Sequence, residues 1–197
     1  MVSELEKYFN DQYPKVIEAL QTQLNPNYLY HNLRHTQDVI DCTQVIGKAE
    51  GLSELDLVVL KIAALFHDTG FIHQRKSHEK AGVEYFTQQA NGVLDPTFIE
   101  IISRCIMATQ MPQQPHSLME QVICDSDLDY LGREDFFDIG ADLFTEMKLC
   151  NEISNTQDWD LLQIQFLEHH HFHTNFSRTH RDPIKQEHLR RLINQSA

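Results

Sequence analysis

Twelve histidines stand in this chain of 197 residues, and those at 31, 35, 67, 73 and 78 crowd into one quarter of it. His31 and His35 are four apart within Tyr30-His31-Asn32-Leu33-Arg34-His35-Thr36. On a helix that spacing puts both imidazoles on one face, so that one can bind a metal while its neighbour handles a proton. Alone the pair is weak, because two surface histidines share this spacing more often. His67-Asp68 is stronger. It closes an apolar run in which Leu55, Val58, Val59, Ile62, Leu65 and Phe66 recur at helical spacing. An unpaired His and Asp buried at the foot of such a helix are costly unless they are hydrogen-bonded or coordinate something. The plainer alternative is that the two cap the helix end and face water. A third cluster, Cys124-Asp125-Ser126-Asp127-Leu128-Asp129, follows the apolar Val122-Ile123, so part of this acidic run is carried inward.

Together the clusters supply two imidazoles and two carboxylates to one ion. Mixed nitrogen and oxygen donors suit a divalent manganese, iron, magnesium, nickel or zinc, and the absence of thiolate argues against a structural zinc site. Four protein ligands leave about two positions of an octahedral shell for water and substrate, which marks a catalytic ion.

The elements that must position these residues read as helix after helix. Ser53 with Asp56 three residues on forms a capping box, and Asp95-Pro96 opens another helix with the proline at its first position. Asn91-Gly92 ends the helix before it, which Ser77 caps. Further helices are expected at about 3–24, 35–50, 134–154, 157–172 and 183–194. Extended β-branched alternation is missing. The expectation is an all-α, single-domain helical bundle over residues 1–197, with its motif core at about 30–132.

Composition narrows the function classes. A net charge of −13 argues against a general nucleic-acid or membrane-surface binder. No apolar run approaches the ~20 residues that span a bilayer, and no signal peptide is visible at the start, so a cytoplasmic location is expected. The four cysteines form no C-x-x-C pair and read as reduced core thiols.

The order H…HD…D, with the adjacent pair closing an apolar helix, resembles the HD superfamily of metal-dependent phosphohydrolases. Tyr-His-Asn-x-x-His-Thr at 30–36 is similar to a signature of cyclic-nucleotide phosphodiesterases in that superfamily. Ala-Leu-Phe-His-Asp-Thr-Gly at 64–70 and Asp-Ser-Asp-Leu-Asp-Tyr-Leu-Gly at 125–132 are similar to small bacterial members. The resemblance implies an HD-type bundle with a metal held by His35, His67, Asp68 and Asp127, and Asp125 set behind them. It implies a metal-activated water oriented by Asp68, and His31 as the acid for the leaving oxygen. His78 looks like the helix-start histidine that supplies a second-site ligand in two-metal members. Their His-His pair has no counterpart at Ala108-Thr109-Gln110, so one firmly bound metal is expected and His78 falls to substrate or water.

The expected reaction is hydrolysis of a phosphate ester of a small substrate, a nucleotide by resemblance. Alternatives are a nucleotidase or pyrophosphohydrolase, and a non-catalytic nucleotide-binding metal sensor. Arg34, Arg75, Lys76, Lys80 and Arg133 lie near the motifs in sequence and are candidates to meet substrate phosphates, although such residues are more often solvated charges. The three adjacent histidines at 169–171 cannot converge on one point of a helix, since each residue turns the chain by ~100°.

Overall fold

Ser53 starts the helix around which the rest is arranged. Its hydroxyl accepts the Asp56 N–H at 3.2 Å, and the Asp56 carboxylate accepts the Ser53 N–H at 3.2 Å, so the capping box is formed. From Leu57 to Phe66 every residue except Lys61 is buried. The spacing predicts one apolar face, and the structure buries nearly all of them. A helix that is apolar all round must be enclosed on all sides, and this one is.

The computed structural model describes residues 1–196. Its helices are α1 (Val2–Gln23), α2 (Leu33–Ala49), α3 (Glu54–Phe66), α4 (His78–Ala90) and α5 (Pro96–Ala108). They continue as α6 (Leu118–Asp127), α7 (Phe136–Leu149), α8 (Thr156–His169), α9 (Asn175–His180) and α10 (Asp182–Ser196). Short 3-10 turns occupy Thr69–Ile72 and Asp129–Gly132, and no strand occurs among the described residues. The all-α expectation holds. No helix among the described residues is long and apolar enough to cross a membrane.

Helices α1, α2, α5 and α6 pack around α3. Leu5, Val39, Ile46, Leu60, Ile62, Leu65, Phe86, Ile102, Ile106 and Ile123 meet there, all 1% exposed or less. Each such side chain contributes about 1.5–3 kcal/mol on leaving water. A second apolar cluster joins Tyr30, Leu128, Tyr130, Leu131, Phe136, Leu167, Phe172 and Leu192 across the Asp129–Gly132 turn, α7, α8 and α10. Tyr30 and Leu128 are sequence neighbours of His31 and Asp127, so the two clusters meet at the residues singled out above. Cys42, Cys105 and Cys124 are buried free thiols and Cys150 is half-buried and free.

Two helix ends differ from expectation. Helix α7 stops at Leu149, where Asn151 turns into the left-handed region at φ 59°. Helix α8 stops at His169, and His170 is extended, because Asp125 draws the following chain away. The buried Asp125 carboxylate accepts the N–H groups of His173 and Thr174 at 2.9 and 2.8 Å and the Thr174 hydroxyl at 2.6 Å. Thr174 in turn caps α9, a short helix with no advance signal. In this segment His169 and His171 are exposed while His170 is buried against Lys185. Burial, and then the Lys185 ammonium, push His170 down to about 3, which keeps it neutral.

Candidate metal centre

Three separate segments bring two imidazoles and two carboxylates to one place. His35 comes from the first turn of α2, His67 and Asp68 follow directly on α3, and Asp127 ends α6. His35 Nε2 lies 3.0 Å from Asp127 Oδ1, 3.3 Å from His67 Nε2 and 3.4 Å from Asp68 Oδ2. His67 Nε2 lies 3.2 Å from Asp68 Oδ2 and 3.6 Å from Asp127 Oδ1. The ligand atoms of His35, His67 and Asp127 all fall within 4.8 Å of one another, and Asp68 joins through the two imidazoles.

Each part is held by local structure. The Asn32 side chain caps α2 by accepting the Arg34 and His35 N–H groups, fixing the turn that carries His35. His67 Nδ1 donates to Ala64 O at 2.8 Å, which turns its Nε2 toward the cluster. Asp68 Oδ2 is buried without a hydrogen-bond partner. Burial would lower the pKa of His67, but Asp68 and Asp127 outweigh it and raise it to about 9. Burial would raise that of Asp68, and the neighbouring imidazoles hold it well below the usual carboxylate range. An orphaned carboxylate oxygen, an inward imidazole nitrogen and a mixed donor set suit a divalent ion.

His31 sits differently from its expected place. Helix α2 begins at Leu33, so His31 precedes it and does not share a helix face with His35. Its position is fixed by Glu146 of α7 instead. Glu146 Oε2 accepts the backbone N–H groups of Tyr30 and His31 at 2.9 and 3.0 Å, and Oε1 meets His31 Nδ1 at 2.5 Å. Burial alone would raise the pKa of Glu146, but His31 and Arg75 hold it down to about 2. The His31 ring stacks on Phe71 at 4.2 Å, and Phe71 stacks on His78 at 3.9 Å. A carboxylate on Nδ1 fixes the tautomer and leaves Nε2 for the site.

His78 opens α4, with Nε2 3.4 Å from Asp68 Oδ1 and 3.6 Å from the buried Glu79. Gly70 makes this possible. A Cβ there would collide with the His78 carbonyl and lie 2.8 Å from the Gly82 nitrogen. Gly70→Ala should therefore cost about 3 kcal/mol, the upper part of the range for overpacking. That should be read as a lower urea midpoint at unchanged slope.

The basic residues near the motifs are not brought to the cluster. Arg34 pairs with Asp142 at 2.6 Å, and Arg133 binds Asp38 and Asp135 at 2.8 and 2.9 Å. Both arginines line a groove that reaches His35 and shares Tyr30 and Tyr130 with the site cavity, but contains neither Asp68 nor Asp127. Lys76 and Lys80 are exposed, and Arg75 is held by Glu146 and Glu152. Asp125 faces the 173–174 backbone and does not reach the cluster. Sequence reasoning missed Glu146, Glu79 and Phe71. Glu146 did leave a signal, since it falls on the apolar stripe of α7 in step with Ile139 and Leu143.

Residues 32–128 match the family model described as HD domain. No curated protein matches the chain.

Proposed function

This chain carries an HD domain across residues 32–128, and we propose that it hydrolyses phosphate esters with a divalent metal held by His35, His67, Asp68 and Asp127. HD domains bind divalent metals. The observation that carries the reading is the convergence of these four side chains, with a buried Asp68 oxygen that faces two imidazoles but makes no hydrogen bond. When bound, the ion supplies Lewis acidity toward phosphoryl oxygens and acidifies water.

The chain's own groups do the rest. Asp68 Oδ1, 3.4 Å from His78, accepts a hydrogen bond from the attacking water and orients it. His31, held through Nδ1 by Glu146, delivers a proton from Nε2 to the leaving oxygen, a role worth ~10²–10⁴-fold in rate. His78 donates from Nε2 to a phosphoryl oxygen or to that water. The nucleotide implied by resemblance is one substrate to be tested beside simpler esters.

The test is phosphate release from nucleotides and p-nitrophenyl esters under added manganese, magnesium, nickel or cobalt. Turnover of at least one ester with one of these metals, abolished by chelation, is expected. Tight nucleotide binding without turnover under any metal would replace the hydrolase by a metal-bearing sensor.

A further inference from the structure

The cavity next to the cluster has a chemical character that the proposed reaction does not by itself require. Its volume is about 220 Å³, and His31, Asp68 and Asp127 line it. Beyond them its walls are Leu131, Phe136, Leu143, Trp159, Leu162 and Phe166, from the Asp129–Gly132 turn, α7 and α8. No lysine or arginine is among the lining residues. Arg75, which reaches His31's partner Glu146, spends its guanidinium on Glu146 and Glu152. Outside the metal cluster the polar residues on the walls are His31, His78, Glu79, Thr109, Gln163, Tyr30 and Tyr130. A nucleoside would bury ribose and base polar groups against this lining with few partners, and each unpaired one is costly. A chain of phosphates would find no lysine or arginine on these walls, only the imidazoles of His31 and His78 beside the metal. An aryl or short alkyl group meets neither penalty, and a dry cavity of about 150 Å³ already accepts benzene.

We propose that the substrate is a phosphate ester of an apolar alcohol larger than methanol, aryl or short alkyl, whose apolar group occupies this cavity on the leaving-group side. The inference rests on the hydrolase reading above and names its substrate class. His31, the acid of the reading above, lines the same cavity as the apolar walls, so the alcohol it protonates can lie against them. In the reaction water forms a new P–O bond and the P–O bond to the alcohol breaks. The alcohol oxygen takes the proton from His31 Nε2, and the proton shed by the water passes to solvent and restores the balance. The products are free phosphate and an apolar alcohol.

Trp159 is the chain's single tryptophan and lines the cavity, so it reports occupancy without turnover. Phenylphosphonate, added to the metal-loaded full chain, should change Trp159 fluorescence saturably, with at least 10-fold tighter binding than adenosine monophosphate. Phenyl phosphate should exceed methyl phosphate by about 100-fold in kcat/KM, since pocket discrimination of even one methylene reaches 10-fold or more. Leu162 is 40% exposed at the cavity mouth, so Leu162→Glu should leave the fold intact. It should lower the phenyl-to-methyl ratio at least 10-fold. Equal kcat/KM for the two esters, a ratio untouched by Leu162→Glu, or a preference for adenosine monophosphate would overturn the proposal. Saturable phenylphosphonate binding that Leu162→Glu weakens, with no ester turned over, would keep the pocket and remove the hydrolase.

Discussion

Asp68→Ala should abolish both metal retention and hydrolysis, with kcat/KM falling by about 10³-fold or more. The metal's transition-state stabilisation is worth several kcal/mol, and each 1.36 kcal/mol is tenfold. Asp68 contributes twice, since Oδ2 faces the two imidazoles at 3.2 and 3.4 Å and Oδ1 faces His78. Metal affinity can be read apart from activity. Manganese at 100 times its Kd should stabilise the wild type by ~2.7 kcal/mol. For a chain of this size that raises Tm by about 5–10 °C. The Ala variant should show no metal-dependent shift at the same concentration while still unfolding cooperatively in urea. A variant that kept both the shift and the turnover would show that the metal assignment is wrong.

The parts of this site that were readable from sequence are those set by neighbours in the chain. The Ser53 capping box and the Asp95-Pro96 start depend on residues three or fewer apart, and both formed as expected. His67 and Asp68 were readable because a run of buried apolar residues delivers them inward. What was not readable depends on distant partners. The end of α8 follows from Asp125 gripping a backbone N–H 48 residues away. Ser77 has the type of a cap but sits at φ 56° with no capping bond, because the chain must bring α4 over Gly70. His31 looked like a helix-face residue, whereas Asn32 takes the cap and leaves His31 to Glu146, 115 residues on. Arg34 and Arg133 lie beside His35 in an adjoining groove, but each is committed to aspartates there and lies outside the cavity that Asp68 and Asp127 line.

The His31–Glu146 pair yields the second large expectation. Glu146→Gln should lower kcat about 10²-fold for esters with poor leaving groups and far less for p-nitrophenyl esters. Both carboxylate oxygens now accept: Oε2 from two backbone N–H groups, and Oε1 from Arg75 and at His31 Nδ1. A carboxamide must place its NH₂ against one of these donors, so the ring loses its fixed orientation. A merely structural role for Glu146 would slow all esters alike. His31→Ala should show the same dependence on leaving group, and the double variant should be no slower than His31→Ala alone, because the two residues act as a unit. Stability supplies an independent readout. The Glu146 pKa is depressed from 4.5 to about 2, so its contribution is fully present above pH 4.5 and is lost as pH falls toward 2. At ~1.4 kcal/mol per unit, that contribution is no more than about 3–4 kcal/mol. Glu146→Gln should lack this part of the wild-type loss between pH 4.5 and 2, which urea midpoints across that range would measure. Matching acid profiles for wild type and variant, together with a uniform slowing of all esters, would remove Glu146 as the residue that positions the acid.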